Sequence, residues 1–290
     1  MSQAKGTPSL REQLEDKKKI IVLPGVFDAL SARIAQQVGF SAMFQTGYGS
    51  SAALLGMPDF GLLNAGETVD NAKRIISAVD VPVLVDADTG YGNPLNVWKL
   101  VRDLEKLGAA GIFLEDQVWP KRCGHMAGKD VIPKDDYIPK LRAAVEARRS
   151  NEFIIVARTD ARAPLGLDEA IIRGKAYRKA GADVIFVEAP RTVSELRVVA
   201  EQIDAPLVAN MIEDGVTPNL PAKELLRLGY RIAVFPLSAL FSATFAMLQV
   251  LTELKITGAT RQTRKLMVTF KDFNQFVDLN KFMNLEKRYS

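Results

Sequence analysis

Two aspartates one residue apart, Asp86 and Asp88, follow the apolar run Pro82-Val83-Leu84-Val85, and a second run, Gly111 to Leu114, ends in Glu115-Asp116. Carboxylates grouped in this way, with no histidine or cysteine beside them, suit a hard cation that prefers oxygen, Mg²⁺ or Mn²⁺, with water positions left for substrate oxygens. In an extended segment Asp86 and Asp88 point to the same side. The competing reading is an ion-pair network with Arg158 and Lys121. Four more apolar runs end in Thr46, Arg158, Glu188 and Asn210. Any one of these could cap the helix that follows it. Polar residues closing so many apolar runs point instead to one shared surface.

The stretch from Glu115 to Pro133 is long for a strand-to-helix connection, where roughly 2–6 residues is usual. Gly124 and Gly128 give it flexibility and Pro120 and Pro133 bracket it, so it is expected to be a lid that closes over the site. It carries the only cysteine, Cys123, and the only histidine, His125. Lys121 and Arg122 stand beside Cys123, and positive charge favours a thiolate. A thiol with a lowered pKa is a candidate general acid. A Cys–His nucleophile pair is disfavoured, because loop residues two apart rarely align and no third group orients them.

These residues need a scaffold that brings strand ends together. The chain reads as eight short apolar runs, each followed by an amphipathic segment: Asp28–Val38, Glu67–Ala78, Leu95–Leu107, Lys134–Arg149, Leu167–Ala180, Val193–Ile203, Ala222–Leu228 and an apolar helix through Leu251. Gly39, Gly108, Gly181 and Gly229 sit where helices should end. Nearly continuous apolar strands mean a parallel sheet covered on both faces, and eight units favour a closed (β/α)8 TIM barrel, whose catalytic groups lie at the C-terminal strand ends. No G-x-G-x-x-G follows the first strand, so a dinucleotide fold lacks its signature. We expect one domain over 1–290, with a helical extension from about 258.

Composition agrees. Of 290 residues, 48% are hydrophobic and 25% charged, which excludes disordered and low-complexity classes. The net charge of +4 comes from interspersed residues, and the densest basic run is Lys17-Lys18-Lys19, read as a solvated face, so no nucleic-acid partner is expected. One cysteine excludes a disulfide framework. The N-terminal segment lacks a signal-peptide pattern, and the most apolar stretch, Ala239–Leu251, is too short and polar to span a bilayer. The expectation is a cytoplasmic protein without a membrane partner.

The segments Asp86-Ala-Asp88-Thr-Gly90, Glu115-Asp-Gln117, Lys121-Arg-Cys-Gly-His125, Ala157-Arg-Thr-Asp160 and Asn210-Met211 together resemble the isocitrate lyase/phosphoenolpyruvate mutase superfamily. The likeness runs from Leu23 to about Tyr289 and is strongest to its short lyases, the group of 2,3-dimethylmalate lyase, methylisocitrate lyase and the petal death protein. It implies a barrel whose eighth helix is swapped between subunits, in a homotetramer built as a dimer of dimers. It implies Mg²⁺ held at Asp86 and Asp88, with Glu115 reached through water. Thr46, Gly47, Tyr48 and Arg158 would hold an α-oxocarboxylate. Cys123 would protonate the departing enolate, and Gly124, His125, Glu188 and Asn210 would hold the rest of a small carboxylic acid substrate. Asp59 is counted with the substrate-binding set, and His125, Tyr48 and Arg158 with the catalytic one.

The resemblance also implies the reaction, carbon–carbon cleavage of a 2-hydroxy di-acid to a 2-oxo acid, or oxalate, plus a carboxylic acid. Carboxyphosphonoenolpyruvate phosphonomutases share the Cys-containing loop, so phosphorus transfer is the alternative, and a catalytically silent barrel is a third. Departures narrow the substrate. Phe44 stands where methylisocitrate lyases carry Tyr, which leaves the base to Tyr48 or a carboxylate. Phe241 and Phe270 stand where they carry Arg. A buried carboxylate without a charge partner is costly, so a 2-alkylmalate, 2,3-dimethylmalate or oxaloacetate hydrate is expected ahead of methylisocitrate.

Overall fold

Eight strands, β1 (Ile21–Val26), β2 (Met43–Gln45), β3 (Val83–Asp86), β4 (Gly111–Glu115), β5 (Ile154–Thr159), β6 (Val184–Val187), β7 (Leu207–Asn210) and β8 (Ile232–Phe235), pair in parallel in chain order, and β8 closes on β1. This is the closed (β/α)8 barrel, seen in a computed structural model that describes residues 7–124 and 128–290. The helices before the last strand are α1 (Leu10–Glu15), α2 (Ala29–Val38), α3 (Gly47–Leu55), α4 (Ala65–Ala78), α5 (Pro94–Leu107), α6 (Lys134–Ala147), α7 (Leu167–Lys179), α8 (Val193–Gln202) and α9 (Ala222–Leu228). The glycines expected at helix ends, Gly39, Gly108, Gly181 and Gly229, have φ of 101°, 91°, 109° and 106°. A residue with a Cβ is strained in that region.

Side chains alternate across each strand, and this sorts the core into two layers. Inward residues fill the barrel: Ile21 and Leu23, Leu84, Phe113, Ile154 and Val156, Val184 and Phe186, Val208, and Ile232 and Val234. Outward residues such as Val85, Ile112, Leu114, Ile155 and Ile185 pack under the helices with Leu100, Leu104, Tyr137 and Leu141. Leu10 from α1, 1% exposed, joins the inner layer. Its helix was not expected from periodicity, although Ser9 and Glu12 form a capping box. Lys17, Lys18 and Lys19 are exposed, but they follow α1 in a turn instead of lying on a helix face.

Residues Ala239–Ser290 group as a second compact unit. This unit takes in almost all of α10 (Ser238–Thr257), then α11 (Phe270–Phe276) and α12 (Leu279–Tyr289). The Glu253 carboxylate accepts from the Gln262 and Thr263 amides at 2.8 Å each and fixes the turn between them. Every residue of α10 is half-buried or exposed. The helix runs 20 residues and contains an 18-residue window of mean hydropathy 1.3, so by length and composition it could cross a membrane. The apolar run read from the sequence stopped at Leu251, but the helix continues through Glu253 and Lys255.

Candidate active site

The inward columns of the barrel do not stop with their apolar members. Two positions further along, on the same inward side, they reach Asp86 after Leu84, Glu115 after Phe113, Arg158 after Val156, Glu188 after Phe186 and Asn210 after Val208. Thr46 stands in the same relation to Phe44. Strand alternation therefore delivers these six residues to one mouth. Thr46 caps α3, its Oγ1 accepting from the Gly49 amide at 3.3 Å, so Gly47 and Tyr48 form the first turn of a helix and not a free turn. The Gly47 amide donates to Asp86 Oδ2 at 3.2 Å, and a Cβ on Gly47 would come within 2.7 Å of that oxygen. Only glycine permits the approach.

Asp86 and Asp88 share a small cavity with Gln45, Asp59 and Tyr91, but not by strand alternation. The backbone turns after β3 and holds Asp88 at φ 46°, and its amide donates to Asp86 Oδ1 at 3.1 Å. The Tyr91 hydroxyl donates to Asp88 Oδ2 at 2.8 Å. Burial and then the neighbouring Asp88 push the Asp86 carboxyl up to about 6, against the pull of Lys121. Burial likewise raises Asp59, and Glu115 well above its usual range, although Lys121 and Arg158 respectively oppose it.

Lys121 and Arg158 are the counter-ions. Lys121 Nζ lies 2.5 Å from Asp59 Oδ2 and 2.7 Å from Asp88 Oδ1, with 3% of its side chain exposed. Its ammonium is thus paired with two acids from different parts of the chain. Arg158 Nε and Nη2 fork onto Asp160 at 2.8 and 3.0 Å. The same guanidinium reaches Glu188 at 3.2 Å and Glu115 at 3.3 Å and lies over the Phe186 ring. The Asn210 amide donates to Glu188 at 3.2 Å.

Among the described residues, no three His, Cys, Asp or Glu side chains are drawn together closely enough to hold a metal ion. The acids of the expected set are met by cations instead, Asp88 by Lys121 and Glu115 by Arg158. A divalent cation still fits the donors: all are carboxylate oxygens, negative charge is in excess, and buried Glu115 Oε1 has no hydrogen-bond partner.

Cys123 and Gly124 line a cavity with Thr46, Tyr48, Asp59, Asp86, Arg158 and Asn210. Burial first, then Cys123 and Asp59, raise the Tyr48 hydroxyl above its usual range. A Cβ on Gly124 would collide with Arg158 and Glu188, so this glycine permits close approach instead of supplying flexibility. His125 lies outside the described residues. Phe44, Phe113, Phe186, Ile212, Val234, Pro236 and Leu237 form the apolar part of the cavity, with Phe44 packed 4.6 Å from Phe113. Phe44 therefore offers no proton acceptor. Phe241 and Phe270 belong to the 239–290 unit and are 43% and 83% exposed.

Sequence reasoning missed the part played by Asp160 and overlooked Lys129, Ile212 and Leu237. Asp116, beside Glu115, is also a hidden support. It is fully buried and accepts from the Asp160 amide, Thr159 Oγ1, Arg173 and the Tyr177 hydroxyl at 2.9, 2.8, 3.0 and 2.7 Å. No short motif links these residues.

The phosphoenolpyruvate phosphomutase family model matches residues 10–255. The chain is 45% identical over 284 residues to a 2,3-dimethylmalate lyase of Eubacterium barkeri, covering 98% of each chain. It is 48% identical over 282 residues to a chloroplastic carboxyvinyl-carboxyphosphonate phosphorylmutase of Arabidopsis thaliana, covering 96% of this chain and 83% of that one. Among solved structures, an oxaloacetate acetylhydrolase in complex with the inhibitor 3,3-difluorooxalacetate superimposes with a TM-score of 0.92 at 35% identity, over 98% and 97% of the two chains. A phosphonopyruvate hydrolase complexed with oxalate and Mg²⁺ superimposes with a TM-score of 0.88 at 27% identity, over 100% and 99%. With the strand-end acids, Arg158 and the Cys123 loop assembled on one barrel mouth, the chain belongs to the isocitrate lyase/phosphoenolpyruvate mutase superfamily and is an enzyme of the carbon–carbon lyase type.

Proposed function

We propose that the enzyme cleaves the C2–C3 bond of a 2-hydroxy di-acid, a 2-alkylmalate, 2,3-dimethylmalate or the hydrate of oxaloacetate, to a 2-oxo acid or oxalate and a carboxylic acid. One observation carries the reading: Cys123 lines a cavity that is acidic and Arg-bearing on one side and apolar on the other. Asp86 and Asp88, with Glu115 through water, would hold Mg²⁺, which supplies Lewis acidity toward the substrate's oxygens. Arg158 and the amides at the start of α3 bind the C1 carboxylate and offer fixed positive potential where charge develops. A carboxylate at the mouth takes up the C2 hydroxyl proton, with the Tyr48 hydroxyl passing its own proton on as it receives one, as C2=O forms. The C2–C3 electron pair passes to C3, and the Cys123 thiol donates its proton there. The apolar wall of Phe186, Ile212, Val234 and Leu237 receives the alkyl part and offers no partner to a third carboxylate.

A coupled assay for 2-oxo acid release tests this, on a panel of 2,3-dimethylmalate, 2-alkylmalates, methylisocitrate and isocitrate, with oxaloacetate followed by its own loss. The expected result is Mg²⁺-dependent cleavage that chelator and Cys123→Ser both abolish. Best turnover of methylisocitrate overturns the substrate assignment. Rearrangement of a phosphonopyruvate-type compound seen by ³¹P NMR, with no cleavage of the panel, favours phosphorus transfer.

We propose further that α10 is exchanged between copies in a homotetramer. Its apolar, uncovered length is what supports this. Light scattering should return four times the 31.9 kDa chain mass. A monomer that partitions into lipid vesicles overturns the assignment.

A further inference from the structure

The loop above the mouth is pinned at both ends. At its neck Gln117 bridges Val131, the Val118 amide donates to the Asp130 carbonyl at 3.0 Å, and the Gln117 side chain exchanges hydrogen bonds of 2.9 and 3.0 Å with the Arg122 backbone. Nearer the tip two lysines turn inward. Lys121 reaches acids expected to hold the cation. Lys129 does not: its Nζ lies 3.0 Å from Asp160 Oδ1 and also donates to the Gly124 carbonyl. The two side chains are 1% and 0% exposed. An ammonium so fully removed from water is tolerated only where it is paired, and this pair forms only when the loop lies on the barrel.

We propose that Lys129 is the latch of the 117–131 loop, a positioning residue that holds Cys123 and Gly124 over Arg158 by way of Asp160. Lys129 is not among the residues lining the substrate cavity, so it acts through others. Asp160 Oδ1 accepts from Lys129 and from Arg158 Nη2, each at 3.0 Å, so one carboxylate sets both the loop and the guanidinium. That carboxylate is itself held, because its backbone amide is bound to Asp116. Lys121 shares its acids with the expected cation site, whereas the Lys129 anchor stands apart from it. The role of the latch in catalysis rests on the lyase reading above, but its effect on loop position does not.

The test is the rate at which iodoacetamide modifies Cys123, the chain's single cysteine, in wild type, Lys129→Met and Lys129→Arg. Loss of a nearby positive charge alone disfavours the thiolate and slows the reaction. Release of the loop speeds it, by about 100-fold or more in Lys129→Met given what one-sided removal of a buried ion pair costs. In the lyase assay kcat should fall by more than KM changes, with Lys129→Arg recovering most of both losses. Unchanged or slower modification in Lys129→Met, or equal acceleration in Lys129→Arg, overturns the latch. If Lys129→Met melts earlier, hydrogen exchange decides: a latch loosens residues 117–131 alone, and equal loosening of β6–β8 overturns it. Wild-type protein that is inactive on the panel, yet whose Cys123 protection depends on Lys129, retires the lyase reading and keeps the latch. Activity with Lys129-independent protection retires only the latch.

Discussion

The mouth of the barrel has two unlike halves. From β2 to β5 it presents Thr46, Asp59, Asp86, Asp88, Glu115 and Arg158, with Lys121 lowered into them from the loop. From β6 to β8, beyond Glu188 and Asn210, it presents Phe186, Ile212, Val234, Pro236 and Leu237. The polar half gathers like charges with Lys121 and Arg158 set among them, and burial, then the neighbouring Asp88, raise the Asp86 carboxyl. The apolar half holds no charge to satisfy a ligand. A substrate spanning both halves is therefore fixed by its oxygens at one end and selected by shape and apolarity at the other.

The sharpest way to break this division is at its most acidic point. Asp86→Asn should abolish Mg²⁺ binding by calorimetry and lower kcat/KM by about 10³-fold or more, since metal stabilisation of developing charge amounts to several kcal/mol. Retained Mg²⁺ affinity moves the cation away from β3. Next, Arg158→Met takes the counter-ion from Glu115 and leaves Asp160 to Lys129, and removing one partner of a buried pair costs about 3–5 kcal/mol, so urea unfolding should shift and oxalate inhibition should weaken. An unshifted midpoint would mean that these acids are neutral at the assay pH.

The apolar half offers smaller effects. Leu237, 4% exposed, lines the cavity. Leu237→Arg should raise the kcat/KM of methylisocitrate relative to 2,3-dimethylmalate by about tenfold, the scale at which pocket contacts discriminate. No change in the ratio places the third carboxylate elsewhere. Phe44→Tyr should alter turnover by less than about threefold and cost about 1 kcal/mol of stability at most, as for one added hydroxyl beside a packed ring. A large gain in kcat would instead identify position 44 as the proper place for the base.

Much of this was legible in the chain. Apolar runs ending in polar residues located Asp86, Glu115, Arg158, Glu188 and Asn210, because the alternation that fills the barrel continues into its mouth. Asp86 and Asp88 were rightly paired, but for the wrong reason: a left-handed turn at Asp88, not strand alternation, brings them into one cavity. α3 was overlooked because Gly47-Tyr48-Gly49-Ser50-Ser51 has poor helix propensity, and its first turn is set by the Thr46 cap and the approach to Asp86. Gly124 was read as a source of flexibility, and its close approach to Arg158 and Glu188 was not legible.

By itself the sequence determined the number and order of strands, the barrel that follows from eight such units, and which residue types stand at the strand ends. These depend on local periodicity, which each segment carries alone. The pairings that give those residues their character depended on the tertiary structure: Lys121 with Asp59 and Asp88, and Asp160 shared by Arg158 and Lys129. The partners lie far apart along the chain or on a loop with no periodicity of its own. Only closure of the barrel removes the water that would otherwise screen them, and that makes their charges interact strongly.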